Sequence, residues 1–215
     1  LVSPPLIAQP VLEEPLAEMA PLPASSLDGP AFSPELQELL DRLRWQASEA
    51  TGSSMALIAL REKIQQAIGE DIVSIFDIKD TPLKEAEQFD ILILGISTWD
   101  FGELQEDWES HWDDITPLNL QGKIVALYGM GDQQGYTDWF QDALGMLHDA
   151  IADKDCKRIG FWPNQGYEFA ASKALTEDQQ YFVGLSLDED TQYDLSEERI
   201  EQWTTQILEE IAEQL

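Results

Sequence analysis

The 215-residue sequence predicts an α/β fold: a doubly wound parallel sheet with helices on both faces. Three observations carry that expectation. The runs at 90–96 (DILILGI) and 123–128 (KIVALY) are almost wholly apolar, as strands buried on both faces are. Segments with helical spacing alternate with strand-like runs, the pattern of a parallel sheet. Each apolar run leads into a short polar or glycine-rich loop, and such sheets bind ligands outside the carboxyl ends of their strands.

Residues 1–54 differ from the rest. They hold eight of the eleven prolines, and 1–30 shows neither a helical nor a strand period, which predicts a partly disordered, Pro-rich extension. Ser33-Pro34-Glu35 reads as a helix start, with Ser as cap and Pro in the first turn. Leu36, Leu39, Leu40 and Leu43 follow at helical spacing. The stretch 43–50 (LRWQASEA) continues that helical pattern and does not read as a buried strand. Thr51-Gly52-Ser53-Ser54 is a break and resembles a fusion linker ending at Met55. The expected division is therefore an extension with one short helix over 1–54 and a folded domain over 55–215.

Within the domain, 55–68 reads as an amphipathic helix stopped by Gly69, and 72–76 as a strand. After the apolar run at 90–96, a helix is expected over 103–115. After the run at 123–128, a long helix is expected over 137–152, then a strand over 158–162 and a closing helix over 195–215. Trp108, Trp112, Phe140 and Met146 read as core. His111 and His148 lack a paired His or Cys at ligand spacing, so no metal site is expected.

Lys and Arg number 12 against 42 Asp and Glu, a net charge of −30. Such a chain is a poor ligand for nucleic acid or an anionic membrane, because phosphate contacts need Lys or Arg. It attracts basic proteins, although acidity that only keeps the chain in solution reads equally well. The single cysteine, Cys156, builds no disulfide framework within one chain. No apolar run approaches the ~18 residues of a spanning helix, and the first residues lack the pattern of a secretory signal. Cytoplasm is the default expectation.

The loops at the two strand ends carry the chemistry. Ser97-Thr98-Trp99-Asp100-Phe101-Gly102 follows the first run, and Gly129-Met130-Gly131-Asp132-Gln133-Gln134-Gly135-Tyr136 the second. Each sets an aromatic residue at the same sheet edge, where two aromatics can sandwich a flat ring. Glycines let the backbone approach the polar edge of that ring. Rim packing is the bland alternative.

The strings TWDFGELQEDW, GKIVALYGMGDQQGYTDWFQDALGML and GFWPNQGYEF, with FVGLSLDEDTQYDLSEERIEQW, resemble the long-chain flavodoxins over about residues 62–215. The pattern is nearest the second type found in enteric-type bacteria. Phe161-Trp162-Pro163 with Gly166-Tyr167 marks the extra loop of the long-chain type. The resemblance implies a flavodoxin-like fold and a low-potential, one-electron carrier holding non-covalent FMN. It implies no enzyme and no catalytic residues. Trp99 would pack on one face of the flavin and Tyr136 on the other. The Asp100–Phe101–Gly102 backbone would be the peptide that rearranges on reduction, with Thr98 and Gly129 at the strand ends. Gly131, Asp132 and Gln133 would read the pyrimidine edge. Basic redox proteins such as a flavodoxin reductase are the implied partners, and a monomer is expected. Full reduction puts negative charge beside many carboxylates, which burial and like charge both disfavour.

The start of the chain departs from that family. Its first strand and Thr/Ser-Gly phosphate loop are replaced or degenerate here: Thr51-Gly52-Ser53-Ser54 stands where the loop belongs, and Arg44, Gln46 and Glu49 where apolar residues belong. A helix N-terminus with hydroxyls is an anion cup, so this stretch is the tentative phosphate loop. Without a first strand, the strand at 72–76 must pair with that at 90–96, or another segment must fill the gap. The alternative function is a degenerate, acidic binding module with weak or no FMN binding. A flavin-dependent reductase is a third reading, but it lacks a G-x-G-x-x-G turn after a strand.

Overall fold

The computed structural model describes residues 45–49, 54–68 and 73–214. The coil expected over 1–30, the helix expected to start at Ser33, and Thr51, Gly52 and Ser53 lie outside the described residues. The main strands are β1 (Trp45–Glu49), β2 (Val73–Asp77), β3 (Ile91–Trp99), β5 (Ile124–Met130), β6 (Lys157–Ile159) and β9 (Leu185–Leu187). β4 (Glu103–Leu104), β7 (Trp162–Pro163) and β8 (Tyr181–Phe182) are two-residue strands. The helices are α1 (Ser54–Ile68), α2 (Glu106–His111), α3 (Asp142–Ala150) and α4 (Tyr193–Ala212).

The sheet runs β2-β1-β3-β5-β6, with β9 also paired to β5. This is the doubly wound order in which the direction of winding reverses between the first and third strands. All these pairings are parallel. Right-handed crossovers then put α1 on one face and α3 on the other. α4 packs against α1, and Lys63 pairs with Glu201 across that contact at 3.3 Å. Ile91 to Ile96 of β3 and Val125 to Tyr128 of β5 are buried on both faces, as their unbroken apolar character requires.

The first strand is the chief correction. The reading of 43–50 as a continued helix fails: Trp45–Glu49 is a strand at the centre of the sheet, in register with both Val73–Asp77 and Ile91–Leu94. A slot between two apolar parallel strands offers backbone donors and acceptors on both sides, and those must be matched whatever the side chains are. That demand outweighs the polar composition, so another segment does fill the gap.

Three further differences have local causes. The helix expected over 103–115 is split into β4, α2 and a 3₁₀ turn at Trp112–Ile115. Gln105 caps α2 by accepting the N–H groups of Asp107 and Trp108. The helix expected over 137–152 starts only at Asp142, because Gln141 sits at φ 62°. Its side chain is held by the carbonyls of Leu187 (2.9 Å) and Gly129 (3.3 Å). The last sheet position is shared by two short strands: β6 pairs with Ile124–Ala126 and β9 with Tyr128–Met130. Residues 160–184 form an insertion between them, closed by the antiparallel β7–β8 pair and packed through Phe140, Tyr167, Phe169 and Phe182.

The register makes β1 testable. Ser48 lies opposite Phe76 on one side and Leu94 on the other, so its backbone N–H belongs to the ladder. Ser48→Pro removes that donor from a central strand and should lower stability by about 1–3 kcal/mol, seen as a lower urea midpoint. An unchanged midpoint would refute a central position for this residue.

Candidate functional site

β3 and β5 are adjacent and parallel, with Ile96 opposite Gly129 and Ser97 opposite Met130. The two loops expected to act together therefore leave the same edge of the sheet. In the first, β4 folds back antiparallel on Thr98 and Trp99. The turn between them is closed by the Gly102 N–H donating to the Trp99 carbonyl at 3.1 Å. Asp100 has φ 42° and Gly102 φ 87°. Gly102 also sits where a Cβ would lie 2.9 Å from Asp142 Oδ2 and 3.0 Å from Trp139 Cδ1. Both facts favour glycine.

In the second loop, Asp132 Oδ1 accepts the N–H groups of Gln134 (2.9 Å) and Gly135 (2.7 Å), and its carbonyl accepts Tyr136 N–H at 3.1 Å. This is an Asx turn, and it delivers Tyr136 to the rim. The two side chains expected to face a ring are left open, Trp99 at 42% and Tyr136 at 37%; so is Phe101 at 67%, which was expected only for its backbone. Phe101 meets Tyr136 at 6.2 Å and Trp139 at 5.2 Å between centroids, both edge to face. Trp99 stands apart from these three rings.

Other expected site residues have inward roles. The Thr98 hydroxyl accepts Ala143 N–H at 3.1 Å and so fixes the first loop to the start of α3. Gly129 is a packing glycine, because a Cβ there would meet Gln141 Oε1 at 2.2 Å. Gly131 N–H donates to the Leu187 carbonyl at 3.1 Å. Gln133 is 2% exposed. Its N–H and Nε2 donate to Asp188 Oδ2 at 3.2 and 2.7 Å, and its Oε1 accepts Glu168 N–H at 2.6 Å.

Sequence reasoning missed the residues that support these loops. Asp188 is fully buried and ties Gln133 to the turn after β9. Asp142, 2% exposed, accepts Lys173 N–H and pairs with Lys173 Nζ at 2.9 Å. Tyr167 donates to the Ser186 carbonyl at 2.5 Å and accepts Trp162 Nε1 at 2.9 Å. The Asp188–Asp190–Thr191 spacing carried a turn signal; the others carried none. Burial pushes the Tyr167 phenol up to about 12 against the opposing pull of Arg199.

Acidic residues crowd the first loop. Glu103, Glu106, Glu109, Asp113 and Asp114 are exposed, and Asp107 is half-buried with Gln105 Nε2 at 2.6 Å. Among the described residues no group of His, Cys, Asp and Glu is placed to hold a metal ion, and no helix is long and apolar enough to cross a membrane.

A parallel sheet with two aromatic loops at its carboxyl edge defines a doubly wound protein whose exposed aromatics stand where such folds bind ligands. A family model described as flavodoxin matches residues 51–203. Flavodoxin 2 of Escherichia coli (strain K12) is 59% identical over 152 residues, 71% of this chain and 88% of that protein. A flavodoxin of Synechococcus elongatus is 46% identical over 152 residues, 70% of this chain and 88% of that protein. The crystal structure of Fusobacterium nucleatum flavodoxin bound to flavin mononucleotide is similar at a TM-score of 0.70 and 28% identity, covering 78% of this chain and 98% of that one. The chain belongs to the flavodoxin family and is of the flavodoxin 2 type.

Two measurements probe this geometry. Gly102→Ala forces a side chain into left-handed backbone and a filled space, and should cost about 1–3 kcal/mol in urea unfolding; an unchanged midpoint would mean the turn tolerates a Cβ. The raised Tyr167 gives a pH signature. An unfolded phenol ionises near 10 and the folded one at about 12. Between those values the unfolded state has lost a proton that the folded state keeps, so stability is full below pH 10 and falls as pH rises towards 12. The slope should approach one proton and vanish in Tyr167→Phe. A slope that persists in that variant would assign it to another group.

Proposed function

We propose that this chain is a low-potential electron carrier that moves one electron at a time on non-covalently bound FMN and turns over no substrate of its own. One observation carries the reading: in a chain of this family, exposed Trp99 and Tyr136 stand on two loops at the carboxyl edge of neighbouring strands β3 and β5.

The residues present fit the group. Trp99 and Tyr136 supply apolar walls for an isoalloxazine. The Asp100 and Gly102 conformations let the first loop turn tightly beside it. Of the three expected readers of the pyrimidine edge, Gly131 and Gln133 have their N–H groups bound inside the protein, which leaves the Asp132 N–H to meet the ring. Thr51, Gly52, Ser53 and Ser54 connect the end of β1 to the start of α1, the place where strand end and helix N-terminus cup a phosphate. The flavin supplies the redox chemistry when bound, and the chain supplies walls, orientation and electrostatics. Exposed carboxylates beside the first loop disfavour added negative charge there, which keeps the potential low.

The alternative, an acidic binding module, rested on a missing phosphate loop; a strand β1 that ends just before Thr51 and a helix that starts at Ser54 support a loop in the family's place instead. The flavodoxin domain on this reading begins at or before Trp45, earlier than the division at residue 55. The same carboxylates suit basic redox partners such as a flavodoxin reductase, met by a monomer in a reducing, cytoplasmic setting that suits the free Cys156 thiol.

The test is FMN titration followed by flavin fluorescence. The protein should quench FMN and keep yellow absorption bands through desalting. Trp99→Ala and Tyr136→Ala should each weaken binding by roughly 10- to 100-fold, the worth of one aromatic stack. A chain that stays colourless in excess FMN would sink the proposal.

A further inference from the structure

A polar pocket lies against Gln133 and Gln134 of the Gly131–Tyr136 loop. It has a volume of about 260 Å³ and is lined by Gln133, Gln134, Gly166, Glu168, Thr191 and Gln192, with Tyr167 in its wall. Arg199 does not line it but packs against three residues that do: Gln192, Gly166 and Tyr167. Its Nη2 donates to Gln192 Oε1 at 2.7 Å and is the nearest group to Gly166, 4.0 Å from where a Cβ would stand. Its guanidinium covers the Tyr167 ring at 4.2 Å from the centroid.

Arg199 is anomalous for this molecule. It is 8% exposed, and its Nη1 is buried without a hydrogen-bond partner. No carboxylate among the described residues lies within ion-pair distance of it, although the chain has a net charge of −30. A buried guanidinium without an anion is costly. Among the described residues the neutral amide of Gln192 is its only side-chain hydrogen-bond acceptor, and that amide is anchored by Nε2 donating to the Gly166 carbonyl at 2.8 Å. Three residues earlier, on the same face of α4, Ser196 Oγ is also buried without a partner. The site stands at the N-terminal end of α4, which favours negative charge as well.

We propose that this pocket binds a small organic carboxylate, held by the forked guanidinium of Arg199, with Gln192 as the neutral stand-in that the carboxylate displaces. A planar carboxylate matches the fork and carries one charge. Glu168 at the rim and Asp188 below Gln133 oppose a more highly charged tetrahedral anion. The pocket shares Gln133 with the flavin loop but needs no flavin, so the inference stands apart from the electron-carrier reading.

The experiment is a titration of the full isotope-labelled chain with sodium acetate and sodium propionate at fixed ionic strength, followed by amide chemical shifts. Saturable shifts centred on Gly166, Tyr167, Thr191 and Gln192 are expected. Arg199→Met should weaken them by at least roughly tenfold. Gln192→Ala frees the second guanidinium nitrogen and should tighten binding, which a purely structural arginine does not do. Shifts that do not saturate, that scatter over the surface or that survive Arg199→Met would overturn the site. Equal or tighter binding of inorganic phosphate would overturn the carboxylate assignment. If Arg199→Met fails to fold, the sign of the Gln192→Ala change decides alone.

Discussion

A carboxylate removed from water must find its donors in the protein, and Asp188 finds five. Oδ2 accepts the N–H and Nε2 of Gln133 and the hydroxyl of Thr191; Oδ1 accepts the N–H groups of Asp190 and Thr191. This one group joins the loop after β5 to the turn after β9, two stretches of chain 55 residues apart. Gln133 extends the joint by taking Glu168 N–H onto its Oε1, which brings the insertion to the same point. The loop that presents Tyr136 is thus held from behind by buried polar contacts, while its outer side stays open. Such a network is rigid only when every member is satisfied.

The interrupted fifth strand follows from the same joint. β6 covers one half of β5 and β9 the other, so the chain leaves the sheet at Gly160 and returns at Leu185. What it carries in between is anchored at three places: Lys173 on buried Asp142, Tyr167 on the Ser186 carbonyl, and Ala170 on Thr137. Two of these anchors touch the stretch between Tyr136 and α3. The insertion therefore acts as a brace for the second loop, and Asp142 in turn packs under Gly102 of the first.

Much of this was legible because period and composition are strong signals where the chain is buried on both faces. DILILGI and KIVALY fixed the centre of the sheet, and the loops after them drew attention by their aromatics and glycines. The failures share one cause: tertiary hydrogen bonds overrode local preference. Gln141 is a good helix former, yet two strand carbonyls hold it in a left-handed conformation and delay α3. Trp45–Glu49 reads as helical or polar, yet two waiting strand edges draw it in. Gln133 reads as a surface residue of a binding loop, yet it is buried and its side-chain amide has three polar partners, Asp188, Thr191 and Glu168 N–H. β8 and β9, two and three residues long, are too short for any period to show.

The charge imbalance also has a structural side. Several of the few cations are engaged, among the described residues, by carbonyls or a histidine and not by carboxylates. Lys123 Nζ donates to the Glu87 and Phe89 carbonyls at 2.7 and 2.6 Å, Lys154 Nζ to the Thr116 carbonyl at 2.6 Å, and Arg158 to His148 Nε2 at 2.7 Å. Burial and Arg158 together hold the His148 imidazole below its usual range, so it adds no positive charge at neutral pH. Among the described residues the carboxylates around the first loop are left largely unpaired: of Glu103, Glu106, Glu109, Asp113 and Asp114, only Asp114 has a basic ion-pair partner, His111 at 3.0 Å. A field of one sign beside exposed aromatics draws a basic surface towards the rim and orients it before contact. The cations that stabilise the fold by serving carbonyls therefore also leave the anionic rim of the site unscreened.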